Sequence, residues 1–304
     1  MQKTFLIDGN ALVHRAFHAL PPLSTPSGEN VNAVYGFSSM LLNLINDRKP
    51  DFIAVAFDTG KTFRHEQSAD YKATRVKAPD ELYAQFDRIK EVLRAFQMPI
   101  FEMQGFEADD LLGTLAKRVS EESEMQVFVV TSDRDSWQLV NDKVFVLMPQ
   151  GGFSKAVIFD KAAIKEKTGL NPEQVVDYKS LCGDSSDNIK GVPGIGDKTA
   201  CALLNEFESL EKIYENLDKI NPKIKEKLET NKHLALESQM LSRIVCDLDL
   251  DFHLKDLKTH EVDFARLEGL FGELGFNSLL KKIEKLKSVY NEQIRGESGQ
   301  QSLF

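Results

Sequence analysis

Three apolar runs in this chain each stop at an aspartate. Thr4-Phe-Leu-Ile7 stops at Asp8, Phe52-Ile-Ala-Val-Ala-Phe57 at Asp58, and Val127-Phe-Val-Val-Thr-Ser132 at Asp133. Between them lie stretches of helical periodicity: Gly9–Leu20, closed by Pro21-Pro22; Val31–Asp47; a helix from Pro79-Asp-Glu81 to Gln97; and another from Glu107 to Val119. Fully apolar runs alternating with amphipathic helices predict an α/β fold with a central, mostly parallel sheet. Pro99–Phe101, Val144–Met148 and Ala156–Phe159 add shorter strands. Open parallel sheets bind ligands beyond the carboxyl ends of their strands, where these aspartates fall.

After Asp160 strand signals nearly vanish and short helices take over, at about 161–168, 172–182, 197–207, 209–217, 222–229 and 232–243, then 263–273 and 277–288. The expected division is an α/β core over 1–170, a helical part over 171–290 and a polar, Gly/Ser-rich flexible tail over 291–304. At 304 residues, 42% hydrophobic and 28% charged, the composition is that of a soluble globular protein. No apolar run approaches a membrane span and the N-terminus carries no signal-peptide pattern, so a cytoplasmic protein is expected. Cys182, Cys201 and Cys246 have no metal-like spacing and read as buried thiols.

Glu107, Asp109 and Asp110 open a helix, Asp135 follows Asp133, and Asp184 and Asp187 stand three apart, a spacing that on one helical turn would let them share an ion. With Asp8, Asp58 and Asp133 this makes nine carboxylates, equal to the whole net charge of −9. A single strand-end aspartate is more often a turn residue or a cap. Nine together would repel strongly unless divalent cations joined them, and oxygen-only donors suit Mg²⁺ or Mn²⁺. Two such ions about 3.5–4 Å apart suit phosphodiester hydrolysis. The turn Gly191-Val-Pro-Gly-Ile-Gly196, leading into Asp197-Lys198-Thr199, lets backbone N–H groups approach a phosphate, or simply joins two helices.

The stretches LIDGNALVHRAFHALPPL, AVAFDTGKTFRHEQSADYKATR, GFEADDLLGTLA, VVTSDRDSWQLV and GDSSDNIKGVPGIGDKTA run in order through the chain. In them it resembles the bacterial and phage 5′-nucleases, relatives of the flap endonucleases, among them the N-terminal 5′→3′ exonuclease domain of bacterial DNA polymerase I. The resemblance spans about 5–285. It implies a PIN-like core with a helical arch over about 60–80, and a helix–hairpin–helix variant, a helix–three-turn–helix, over about 183–207. It assigns Asp8, Asp58, Glu107, Asp109 and Asp110 to a first metal and Asp133, Asp135, Asp184 and Asp187 to a second. On that assignment, alanine at either Asp109 or Asp110 abolishes cleavage and spares the fold.

The resemblance also places Lys72, Arg75 and Arg15 near the scissile phosphate. On one helix, Lys72 and Arg75 could share a phosphate and Tyr71 could stack on a base, with Arg64 beside them on the DNA; a solvated surface helix is the alternative. Lys190, Gly191, Val192, Gly194, Ile195, Gly196, Lys198 and Thr199 would grip duplex backbone, with K⁺ held by turn carbonyls. Gln300, Leu303 and Phe304 resemble a sliding-clamp binding pentapeptide, with Gln301 where leucine is usual. The implied protein is a monomeric bacterial nuclease acting on 5′ flaps, nicks, 5′ ends and RNA/DNA primers, either free-standing or cut from a polymerase. A ribonuclease of structured RNA and a non-catalytic DNA-binding module are the competing readings.

Overall fold

The computed structural model describes residues 1–122, 124–150, 155–259 and 262–300, with side chains as far as Ser288. Six strands, β1 (Lys3–Asp8), β2 (Phe52–Ala56), β3 (Ile100–Phe101), β4 (Gln126–Val130), β5 (Val144–Met148) and β6 (Val157–Phe159), form one sheet in the order β3-β2-β1-β4-β5-β6. All pairs are parallel except β5 with β6. The strand order runs outward in both directions from the β1–β4 pair. The connections after these two strands therefore leave on opposite sides and open a crevice between their carboxyl ends. In register, Asp8 lies opposite Ala56, and Ile7 opposite Val130.

Helices α1 (Gly9–Ala19), α2 (Asn32–Arg48), α3 (Phe63–Gln67), α4 (Asp80–Tyr83), α5 (Phe86–Ala95), α6 (Ala108–Glu122) and α7 (Lys161–Thr168) belong to the sheet region. The predicted helix from Pro79 to Gln97 is broken between α4 and α5. Gln85 at the break is 1% exposed and caps a neighbour: its Oε1 accepts from Ala33 N and Val34 N at the start of α2. Helices α8 (Val175–Cys182), α9 (Asp197–Phe207), α10 (Leu210–Glu215), α11 (Pro222–Thr230) and α12 (Lys232–Ser242) enclose a separate core of Leu181, Val192, Ile195, Leu204, Ile213 and Leu228.

The last two helices depart from the predicted division. α13 (Phe264–Glu273) and α14 (Asn277–Gln300) return to the sheet and bury Leu267, Phe271, Leu279 and Ile283 in the core under α2 and α5. The extended acidic alternation after α12 carries the chain back: the Arg118 guanidinium donates to Leu250 O and Phe252 O, and Thr259 N to Asp51 O. α14 runs to Gln300, into the predicted flexible tail. Its polar end carries Glu292, Gln293, Arg295 and Glu297 and has no proline, and Gly296 and Gly299 cost only about 1 kcal/mol each. Leu303 and Phe304 lie outside the described residues. Among the described residues no helix is long and apolar enough to cross a membrane.

Candidate active site

A cavity of about 1190 Å³ opens at the carboxyl edge of the sheet. Seven of the nine predicted carboxylates line it: Asp8, Asp58, Glu107, Asp109, Asp133, Asp135 and Asp184. Asp8, Asp58 and Asp133 are each fixed by backbone bonds just past their strands. Asp8 caps α1, its Oδ1 accepting from Ala11 N at 2.8 Å, while its Oδ2 accepts from Thr131 Oγ1 at 2.7 Å beyond β4. Asp58 Oδ1 accepts from Ala108 N at 2.7 Å, which fixes the start of α6 against the end of β2. Asp133 Oδ1 accepts from Asp135 N at 2.9 Å.

This packing is electrostatically unfavourable. Burial, with the charges of Asp58 and Asp133 adding to it, raises the Asp8 carboxyl to about 7. Burial and Asp133 raise Asp135 to about 7, and burial and Glu107 push Asp58 upward. Asp109 is pushed well above the carboxylate range by burial and by Asp133, Asp8 and Asp135. Its Oδ1 is shut off from solvent without a hydrogen-bond partner. Buried oxygens that repel one another, one of them orphaned, are a donor set that fits a hard divalent cation. Among the described residues no three carboxylates form a ready-made cage as they stand. Protein cations hold several of them instead.

Lys72 Nζ donates to Glu107 Oε1 at 2.6 Å, and Arg75 Nη2 to Asp187 Oδ1 at 2.5 Å. Lys179 Nζ bridges Asp135 Oδ1 and Asp184 Oδ2. Burial opposes ionisation of Asp184, but the Lys179 and Ser186 bonds prevail and hold it down to about 2. Sequence reasoning missed Lys179, although it is the only cation in α8 and lies a turn and a half before Asp184. It also missed Thr131, which orients Asp8.

Two carboxylates are not brought to the cavity. Asp110 is 0% exposed and fully engaged: both oxygens accept from Arg64 at 2.7 Å, Oδ1 also from Val245 N and Oδ2 from Glu107 N. Asp187 is buried beneath Arg75. Asp184 and Asp187 do not share a helical turn. Gly183 (φ 78) ends α8, and paired bonds between Asp184 and Ile189 close a tight loop that turns the two carboxylates apart. A Cβ at Gly183 would stand 2.6 Å from Ile189 O, and one at Gly191 (φ 63) 2.3 Å from Gly183 N, so both positions require glycine.

The segment over the site also departs from expectation. Only α3 is helical in it. Lys72 sits in a turn at φ 55 with its N–H on Asp187 O, so Lys72 and Arg75 share no helix face. Tyr71 is 3% exposed, packed on Ile189 and Leu241 with its hydroxyl on Glu107, and cannot stack on a base as placed. Arg64 is 2% exposed, and beyond Asp110 it donates to Leu241 O and Arg243 O, so it is a buried strut rather than a DNA contact. Arg15 lines the cavity.

In the glycine turn, Val192 and Ile195 are buried in the helical core, and Gly191 N donates to Ser238 Oγ. Gly194, Gly196 and Lys198 are exposed, Thr199 is half-buried, and Lys190 pairs with Asp70. Lys227 Nζ donates to Gly194 O at 2.8 Å, so an ammonium already occupies one of the turn carbonyls.

Residues 3–169 match the 5′-3′ exonuclease N-terminal resolvase-like domain, and residues 170–265 the 5′-3′ exonuclease C-terminal SAM fold. DNA polymerase I of Bacillus subtilis (strain 168) is 44% identical over 284 residues, 93% of this chain and 32% of that protein. DNA polymerase I of Caldicellulosiruptor bescii is 43% identical, over 92% of this chain and 33% of that protein. The chain thus spans about a third of the length of these relatives. Among solved structures, phage T5 5′-exonuclease with bound zinc ions superposes with a TM-score of 0.65 at 22% identity, covering 93% of this chain and 97% of that one. The catalytic core of Rad2 in complex with DNA substrate gives 0.60 at 15%, covering 90% and 88%. These two likenesses are of fold. The matched sequence, carrying the acid-lined edge of the sheet, places the chain in the 5′-3′ exonuclease family.

Proposed function

We propose that the chain is a structure-specific 5′-nuclease that hydrolyses DNA phosphodiesters at single-strand/duplex junctions, trimming 5′ ends and cutting 5′ flaps in primer removal and repair. The observation that carries this reading is the convergence of seven carboxylates on one cavity beside Lys72, Arg75 and Arg15. Asp8, Asp58, Glu107 and Asp109 would hold one divalent ion, and Asp133, Asp135 and Asp184 a second, Mg²⁺ or Mn²⁺. Such ions, when bound, supply an activated water and stabilise the leaving oxygen. Asp187 serves by holding Arg75, and Asp110 by holding Arg64. Arg75 and Lys72 leave their carboxylates to take the scissile phosphate, where positive charge stabilises the developing negative charge.

Residues 1–170 form the catalytic core in this reading, and α8 and α9 with the turn between them act as a helix–three-turn–helix. Exposed Gly194, Gly196 and Lys198 grip duplex backbone there without reading sequence. The reading is completed by a monomer in the bacterial cytoplasm, at the nucleoid. A tail ending in Gln300, Leu303 and Phe304 would recruit it to a sliding clamp; deleting 300–304 is expected to abolish clamp binding, and unchanged binding would reject that role.

The decisive experiment is cleavage of a 5′-labelled double-flap DNA with Mg²⁺ or chelator. Mg²⁺-dependent release of a product cut near the junction is expected. Binding without cleavage, with Mn²⁺ also tried, would leave a DNA-binding module, and a preference for structured RNA would make it a ribonuclease. Lys72→Ala is expected to slow single-turnover cleavage about a hundredfold while leaving duplex affinity nearly unchanged. The reverse split would make Lys72 a docking residue.

A further inference from the structure

We infer that Lys179 is a built-in counter-ion for the second acid group, and that a divalent ion enters there only by displacing its ammonium. This rests on the metal-centre reading of the cavity. The Lys179 side chain is 12% exposed and ends between two carboxylates, Asp135 Oδ1 and Asp184 Oδ2. Those acids arrive from different parts of the fold, Asp135 from beyond β4 and Asp184 from beyond α8, and the ammonium joins them. An ion bridging the same two oxygens would need the position the ammonium fills.

In the other half Lys72 holds Glu107 alone, and among the described residues no ammonium bridges two carboxylates of that group. Asp8 is bonded only by neutral donors, Ala11 N and Thr131 Oγ1, and Asp109 Oδ1 has no partner. The two halves therefore differ: the first presents, at Asp8 and Asp109, oxygens with no ion pair, whereas in the second one tethered ammonium joins two of the three carboxylates. Ions are then taken up in order, tightly beside Asp8 and Asp109 and weakly beside Asp135 and Asp184. Displaced Lys179 remains on the cavity wall, within reach of an incoming phosphate.

The test is Mn²⁺ titration of the whole chain without DNA, read by electron paramagnetic resonance, on the wild type, Lys179→Met and Lys179→Arg. The weaker Mn²⁺ site is expected to tighten about tenfold or more in Lys179→Met and to stay weak in Lys179→Arg. Equal or weaker binding in Lys179→Met overturns the inference while leaving the metal centre standing. Absence of Mn²⁺ binding in all three proteins overturns both. A second measurement needs no variant: amine acylation of the wild type read by mass spectrometry. Mn²⁺ is expected to raise labelling of Lys179 severalfold and to leave exposed Lys198 unchanged. Protection of Lys179 that is the same with and without Mn²⁺ also overturns it.

Discussion

Asp109→Ala is expected to lose metal-dependent cleavage by about a thousandfold or more and, at the same time, to melt at a higher temperature than the wild type in chelator. The two effects have one cause. Asp109 Oδ1 is buried without a partner, among the charges of Asp133, Asp8 and Asp135. Without an ion this carboxylate opposes folding, and deleting an unsatisfied buried group recovers roughly 1–3 kcal/mol. The pH dependence has a definite sign. A carboxyl raised above its unfolded value binds its proton more tightly in the folded state, so it costs stability only as pH rises past the unfolded value. The advantage of Asp109→Ala in chelator should therefore grow from acid toward neutral pH and vanish in acid. Saturating Mn²⁺ should reverse the order of the two melting temperatures. A variant that cleaves normally, or melts lower in chelator, would remove Asp109 from the metal centre.

The sheet and its acids were legible because both depend on local pattern. Apolar runs and helical periodicity give β1, β2, β4, α1, α2 and α6 almost residue for residue, and a strand that stops at an aspartate needs no partner to be recognised. Direction of side chains was not legible. Asp109 and Asp110 are adjacent on a helix, so about 100° separates them, and only the return of the chain at Arg243–Val245 decides that Asp110 faces Arg64 and away from the cavity. The same holds for Tyr71, whose aromatic ring in a basic segment reads as a base platform until Ile189 and Leu241 are seen to enclose it. Asp184 and Asp187 show a third limit: both lie beyond a glycine at φ 78 that ends the helix, so helical spacing does not apply to them. Returning elements were hidden too, because nothing in Phe264–Ser288 says which core its apolar face will join.

Asp110→Ala, by contrast with its neighbour, is expected to be lost through folding. The Arg64 guanidinium is buried, and its two bonds to Asp110 are its closest ion pair; Leu241 O and Arg243 O would remain, with Glu107 at 3.5 Å. The amide N–H groups of Glu107 and Val245 would lose their acceptor as well. Breaking one side of a buried, hydrogen-bonded ion pair costs about 3–5 kcal/mol, which in a protein of this size lowers the melting temperature by roughly 5–8 °C. Replacing both partners, as in Arg64→Leu with Asp110→Leu, should recover part of the loss, because neither charge is then stranded. Any Asp110→Ala protein that remains folded in the cold should still bind Mn²⁺ with wild-type affinity, since this carboxylate does not line the cavity. The contrary result, an unchanged melting temperature with metal affinity and cleavage both lost, would return Asp110 to the ligand set and mean that Arg64 gives up its partner when ions bind.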